Sequence, residues 1–355
     1  MSRTILFAEV AGFYAAVERA DDPSLAARPV IVGGDPRKRG RVQAATTDAL
    51  RAGVSVDMPM IEALQRCPGA RSVRTNMRRY REVSRQLLTT LRRVHPHLEA
   101  FGLAGVYAEF APSAAAVEAI ATEMHSTVRK ALDLPLRVGL ASGKFLARLA
   151  AQELAEEGVY RIPNGAEHRF LAPLDVTRLD GVGRKTSAAL AEAGARSIGD
   201  VVALGRARLE EMFGAHGLRI YACASGHDRE PVRAARHPGS VSREATVRAE
   251  PTDLTALLEQ LAGLAQQLEG ELRRQGLAAG RVALKVRYTD QGAETRSRTL
   301  AVAVDRAPDL LGTAEQLLRR TQVGARPVRR LGLQLSALIP AGTIDRQLTL
   351  FPVDS

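Results

Sequence analysis

Thr4 to Val10, TILFAEV, is an apolar run broken by one acid near its end, and it predicts a buried strand. GFYAAVERA (12–20) follows with helical spacing. PVIVGG (29–34) and GRVQAAT (40–46) read as two strands joined by the basic turn GDPRKR, followed by the helical stretches DALRAG and IEALQRC. From 76 to 96, Tyr80, Val83, Leu87, Leu88, Leu91 and Val94 recur at helical spacing with arginines between them, so one face packs and the other is basic. HLEAFGL (97–103) and GVYAEFA (105–111) predict adjacent strands. A helix from about 114 to 131, a strand LRVGLAS (136–142) and a helix 144–157 follow, and GVYRIP (158–163) closes a mixed α+β layer.

Between 165 and 235 the strand-like alternation stops, and short helices separated by glycines predict a small helical domain. REPVRAARHPGSVSRE (229–244) carries several cations and no apolar run, as a tethering linker does. From 245 the order is strand, helix 252–275, strand 281–290, strand 294–304, helix 307–320 and strand 328–338, a split β-α-β-β-α-β unit. AGTIDRQLTLFPVDS closes the chain as a tail.

Composition narrows the function classes. The 355 residues carry 50 Lys+Arg against 39 Asp+Glu, a net charge of +11, which favours an anionic partner such as nucleic acid. With no Trp, 8 Phe and 6 Tyr, backbone contact is expected over stacking of bases on an aromatic platform. Cys67 and Cys223 stand far apart without metal-ligand spacing, which excludes a disulfide framework and a thiolate zinc site. No apolar run reaches the roughly 18 residues of a membrane span, and no signal peptide is evident, so a cytoplasmic protein without membrane contact is expected.

Three motifs carry candidate function. In LDGVGRKT, Gly181 and Gly183 flank Val182 in a tight hairpin between helices, whose backbone N–H groups suit a phosphate, with Arg184 and Lys185 beside them. This is the helix-hairpin-helix form suited to sequence-independent DNA-backbone binding; a plain packing turn is the alternative. Arg281, Lys285 and Arg287, Arg296 and Arg298, and Arg329 and Arg330 sit at alternating strand positions. They predict a cationic sheet face for DNA, the alternative being a solvated face, and Arg243 at the end of the linker is a further DNA-binding candidate. Gln347, Leu348, Leu350 and Phe351 in the tail suit insertion into a partner's hydrophobic pocket, unless the terminus folds back.

Over nearly its whole length the chain resembles the Y family of translesion DNA polymerases, through ILFAEVAGFYAAVE, DDPSLAARPVIVGG, VGLASGKFLARLAA, LDGVGRKT and HDREPVR. The tail resembles the bacterial sliding-clamp-binding motif of the QLxLF type. The resemblance implies a palm (1–21 and 75–165), fingers (22–74), a helix-hairpin-helix thumb (166–232), a linker (233–244), a little finger (245–340) and a tail (341–355). It also implies a two-metal phosphoryl transfer, with Mg²⁺ held by three carboxylates. Here the matching positions are Glu9, Ala104 and Gly105, and a further family acid falls on Ala11. The family's triphosphate-binding Tyr, Arg and Lys fall on Thr47, Leu50 and Ala155, with Glu156 and Glu157 following, which predicts no positive partner for a nucleotide. Tyr14 holds the position of the family's ribose-excluding gate, and ordinary packing of the first helix is its alternative role.

The expected function is therefore that of a non-catalytic homologue of the ImuB type, an adaptor in error-prone translesion synthesis that needs no cofactor. Its implied partners are primer-template or damaged DNA, the sliding clamp, an error-prone C-family polymerase and a RecA-like accessory protein. The long extension in which ImuB-type proteins place such partner contacts has no counterpart after Phe351 in this sequence. The alternative is a weakly active polymerase using Glu9, with Glu109 and a divalent metal.

Overall fold

The computed structural model describes residues 3–111, 116–228, 230–233, 239–247 and 253–343. The chain forms two compact units, Met1–Ala235 and Arg236–Ser355.

The first unit is built on a five-stranded sheet. In chain order its elements are β1 (Thr4–Val10), α1 (Phe13–Asp21), β2 (Val30–Gly33), β3 (Val42–Ala45), α2 (Thr47–Arg51), α3 (Met60–Arg66), β4 (Arg71–Arg74), α4 (Met77–Val94), β5 (Glu99–Phe101), β6 (Gly105–Phe110), α5 (Val117–Leu132), β7 (Leu136–Ala141), α6 (Lys144–Glu153) and β8 (Gly158–Arg161). The main sheet runs β5-β6-β1-β7-β8, so the apolar first strand is central, as its nearly complete burial requires. Strand alternation divides β1 between two cores. Leu6, Ala8 and Val10 pack with Tyr80, Val83, Leu87 and Leu91 of α4 and with Met124 and Val128 of α5. Ile5 and Phe7 pack on the opposite face with Phe145, Leu146 and Leu149 of α6.

Gly139 permits α6 to lie directly on β7, because a Cβ there would fall 1.9 Å from the Ala147 carbonyl oxygen. β2, β3 and β4 form a second sheet, ordered β3-β2-β4, over a core of Ile31, Val42, Ala45, Met60 and Ala63. β4 has no clear signal in the sequence. RSVR offers one apolar residue, and its strand conformation comes from parallel pairing with β2, Val30 to Gly33 against Arg71 to Arg74.

Five short helices follow: α7 (Glu167–Leu171), α8 (Arg184–Glu192), α9 (Ile198–Leu204), α10 (Arg206–Phe213) and α11 (Ala215–Ala224). Their apolar residues Leu171, Leu190, Ile198, Leu209 and Ile220, with Leu179 between α7 and α8, join the core on the Phe7 side of the main sheet. The capping box of Ser197 and Asp200 starts α9.

The second unit has β9 (Ser240–Thr246), α12 (Leu254–Gln275), β10 (Leu277–Tyr288), β11 (Ala293–Val304), α13 (Ala307–Leu318) and β12 (Val328–Pro340), the predicted β-α-β-β-α-β order. All neighbours in the sheet β11-β10-β12-β9 are antiparallel, and α12 and α13 cover one face over Val282, Leu284, Val286, Leu331, Leu333 and Leu335. One boundary is corrected. The expected linker 233–244 overlaps β9, which begins at Ser240, because Val241, Arg243 and Ala245 alternate toward the helices and the strand pairs with β12 from Ser336 to Arg330. Its short, cation-bearing alternation conceals a strand whose partner lies far along the chain. No helix among the described residues is long and apolar enough to cross a membrane.

Candidate functional site

Residues directly opposed across strands share a sheet face. The registers Phe101↔Gly105, Gly105↔Glu9 and Glu9↔Arg137 therefore set four residues from β5, β6, β1 and β7 in one row, on the Phe7 side of the main sheet. Glu9 is the single acid of that row. Burial pushes its carboxyl above the ordinary carboxylate range, and the nearby cations Arg137 and Arg148 pull the other way. Arg137 is partly buried and anchored, its Nη2 donating to the Ala155 carbonyl at 2.8 Å. Ala104 is held beside β1 by the Val10 N–H, which donates to its carbonyl at 2.9 Å.

Gly105 is closely packed. A Cβ built there would lie 3.1 and 3.2 Å from Cζ and Cε2 of Phe7, whose ring belongs to a cluster with Phe101 and Tyr107 at centroid distances of 5.5 and 4.6 Å. Arg148 on α6 lies 5.9 Å from the Phe101 ring and is ion-paired with Asp180.

Two further acids on this face serve other partners. Glu99 accepts from buried Lys144 Nζ at 2.7 Å and from the Arg233 N–H at 2.7 Å. Glu109 accepts the Val232 N–H at 3.0 Å and pairs with Arg3. Glu109 also opposes Ile5, four positions from the Gly105–Glu9 pair and so about 13 Å along the strand. It does not stand in for a missing ligand. Two divalent ions need several converging carboxylates. Among the described residues no group of three or more His, Cys, Asp or Glu could hold a metal ion. The donor set at Glu9 does not fit the two-metal centre implied by the resemblance.

Beside this row a cavity of about 480 Å³ opens between α1, α2 and the α6–β8 turn, lined among others by Ala11, Gly12, Thr47, Arg51, Arg137 and Glu157. Cations line this cavity even though the positions of the family's triphosphate-binding residues hold none. Arg19, Arg51, Arg129 and Arg137 all reach the cavity wall, while Leu50, at the family's arginine position, does not line it. Much of that charge is compensated internally. Arg19 pairs with Asp48 at 2.8 Å, and Arg129 pairs with Asp133 and Glu157 at 3.4 and 3.6 Å. Tyr14, partly buried, stacks on Tyr80 with centroids 4.3 Å apart, and Tyr80 donates to Glu18 at 2.6 Å.

In the hairpin, a short 3₁₀ turn (Val176–Arg178) precedes Gly181, in place of the expected helix. Gly181 adopts φ +85°, and a Cβ there would sit 2.7 Å from His216 Cε1, while His216 Nε2 donates to the Gly181 carbonyl at 3.1 Å. Val182 is buried, and Gly183 is the N-cap of α8, which leaves the first amides of α8 without a capping side chain beside exposed Arg184 and Lys185. We expect Gly181→Ala to cost about 1–3 kcal/mol in thermal or chemical unfolding through αL strain and the displaced imidazole, and to weaken DNA binding. A substitution silent in both measurements would remove the hairpin's conformational requirement.

The cationic sheet face is smaller than its sequence suggests. Arg281, Lys285 and Arg287 on β10 lie on the face away from the helices, with Arg330 directly opposite Arg287 and the hydroxyl residues Thr295, Ser297 and Thr299 of β11 alongside. Arg296 and Arg298 oppose Leu284 and Val282, which places them on the helix side. Arg296 pairs with Glu294 at 2.7 Å and donates to the Arg320 carbonyl, and Arg298 bonds Gln316 of α13. Arg243 likewise opposes Leu333 and pairs with Glu271 of α12 at 2.9 Å. The hairpin register matches odd positions with odd, so even-numbered arginines of β11 fall on the other side of the sheet. Arg329 sits at a bulge, where the register shifts between Arg287 and Tyr288, and is exposed. Gln347, Leu348, Leu350 and Phe351 lie outside the described residues.

Comparison with known proteins agrees with this architecture. The model of the impB/mucB/samB family matches residues 9–152, and that of the family's C-terminal domain matches 238–350. A DNA polymerase IV of Alkalilimnicola ehrlichii is 34% identical over 98% of this chain and 99% of its own length. The one of Halorhodospira halophila is 34% identical over 95% and 96%. Among solved structures, a Y-family DNA polymerase chimera of Dbh and Dpo4 superposes with a TM-score of 0.78 at 22% identity, covering 95% of this chain and 99% of that one. DinB from Sulfolobus solfataricus gives 0.70 at 22%, covering 94% and 98%.

Proposed function

The chain belongs to the Y-family DNA polymerases, and from that membership we propose that it acts in translesion synthesis as a DNA-holding, clamp-tethered adaptor whose palm does not polymerise. One observation carries this reading: the row Phe101, Gly105, Glu9, Arg137 offers a single carboxylate, with an arginine at the opposed position of β7.

In this reading 1–21 and 75–165 are the palm, 22–74 the fingers, 166–232 the thumb, and the little finger begins with β9 at Ser240. The hairpin around Gly181 to Lys185 and the face of Arg281, Lys285, Arg287 and Arg330 grip phosphates of primer-template or damaged DNA without reading bases. Gln347, Leu348, Leu350 and Phe351 dock on the bacterial sliding clamp. Such a tether raises the local clamp concentration to the millimolar range for a short flexible linker. An error-prone C-family polymerase and a RecA-like accessory protein are the partners this role requires, and the cytoplasm is its compartment. A second reading, an active DNA-directed DNA polymerase using Mg²⁺, is favoured by relatives of 34% identity that bear the name DNA polymerase IV.

The adaptor role is tested by clamp pull-down. Changing Gln347, Leu350 and Phe351 together to Ala is expected to abolish retention while leaving DNA binding intact. Retention equal to the unmodified chain would remove the tether from the proposal.

A further inference from the structure

We infer that the Arg137 guanidinium is a resident cation of the palm site, excluding divalent metal from Glu9 by charge as well as through the missing ligands. The inference rests on the non-catalytic reading above and goes beyond it, because it makes the site a converted one, stable without metal, and not an emptied one.

Three features of the row support it. First, Arg137 faces Glu9 across an antiparallel pair, where opposed Cβ atoms lie about 4.5–5.5 Å apart. Arg137 is partly buried, and its guanidinium is tied to the Ala155 carbonyl at 2.8 Å. Second, two cations already act on Glu9: Arg137, and Arg148, which is also bound to Asp180. A divalent ion beside Glu9 would add two further positive charges near both in a partly buried place, where repulsion is poorly screened. Third, the space is tight: a Cβ at Gly105 would lie 3.1 Å from the Phe7 ring, so an acid at that position needs the ring to shift slightly.

The test is Mn²⁺ titration of the full chain, read from the electron paramagnetic resonance signal of the free ion. The background is Ala104→Asp with Gly105→Glu, which together with Glu9 supplies three carboxylates. With Arg137 retained, or replaced by Lys, Mn²⁺ affinity is expected to stay close to that of the unmodified chain. Adding Arg137→Ser is expected to tighten it about tenfold or more, the scale of removing one near like charge. Equal affinity with and without the cation overturns the inference. Should Gly105→Glu prevent folding, Ala104→Asp alone, with and without Arg137→Ser, carries the same comparison. Primer extension by the unmodified chain would instead defeat the reading on which the inference rests, so the two failures are separable.

Discussion

Incubated with primed template, all four deoxynucleotides and either Mg²⁺ or Mn²⁺, the purified chain is expected to leave the primer unextended, and Glu9→Ala is expected to change nothing. Loss of one group that stabilises charge in a transition state typically lowers the rate about 10²–10³-fold. At the positions of the family's three ligands this chain has Glu9, Ala104 and Gly105, two such losses before the triphosphate contacts are considered. If the losses act independently, the chemical step falls by about 10⁴–10⁶. Arg51, Arg129 and Arg137 reach the neighbouring cavity, but a cation that binds phosphate does not activate the attacking 3′ oxygen. Template-dependent extension that disappears with Glu9→Ala would establish the polymerase reading and end the adaptor proposal.

The second large effect is on DNA affinity. Replacing Arg281, Lys285, Arg287 and Arg330 together by Gln is expected to reduce the slope of log K against log salt by about 3 to 4, near 0.9 for each phosphate contact on duplex DNA. At moderate salt this amounts to an affinity loss of about 10² or more, without change in sequence preference. The matched control is Arg296→Gln with Arg298→Gln. These side chains are held by Glu294, Arg320 and Gln316 on the helix side of the sheet, so the slope is expected to stay within about one unit of the unmodified chain. Equal effects of the two sets in a salt titration would show that total charge matters and the sheet face does not.

That contrast marks where sequence reasoning ends. Continuous apolar runs such as TILFAEV and the 3.6-residue spacing along α4 identified strands and helices because burial on two faces or one leaves a periodic trace. β4 and the start of β9 left none, since each is a short, polar strand formed by pairing with a distant partner. Arg296 and Arg298 were legible as alternating cations, but the face they occupy depends on the β10–β11 register, which a single-residue shift would reverse. Arg137 gave no functional signal at all. It is one arginine in an otherwise apolar strand, and its position opposite Glu9 exists only after β7 pairs with β1.

The sequence by itself determined the element order, the division into a mixed sheet unit, a helical hairpin region and a split βαβ unit, and the absence of acids at positions 11, 104 and 105. These are properties of composition and local periodicity, which each segment carries alone. The tertiary structure decided which charges meet. It set Arg137 across from Glu9, placed the Phe7 ring against Gly105, committed Glu99 and Glu109 to the segment 230–233, and divided the arginines of the second unit between the two faces of its sheet. Cross-strand register and packing between distant segments are long-range quantities, and the electrostatics of a site follow from them.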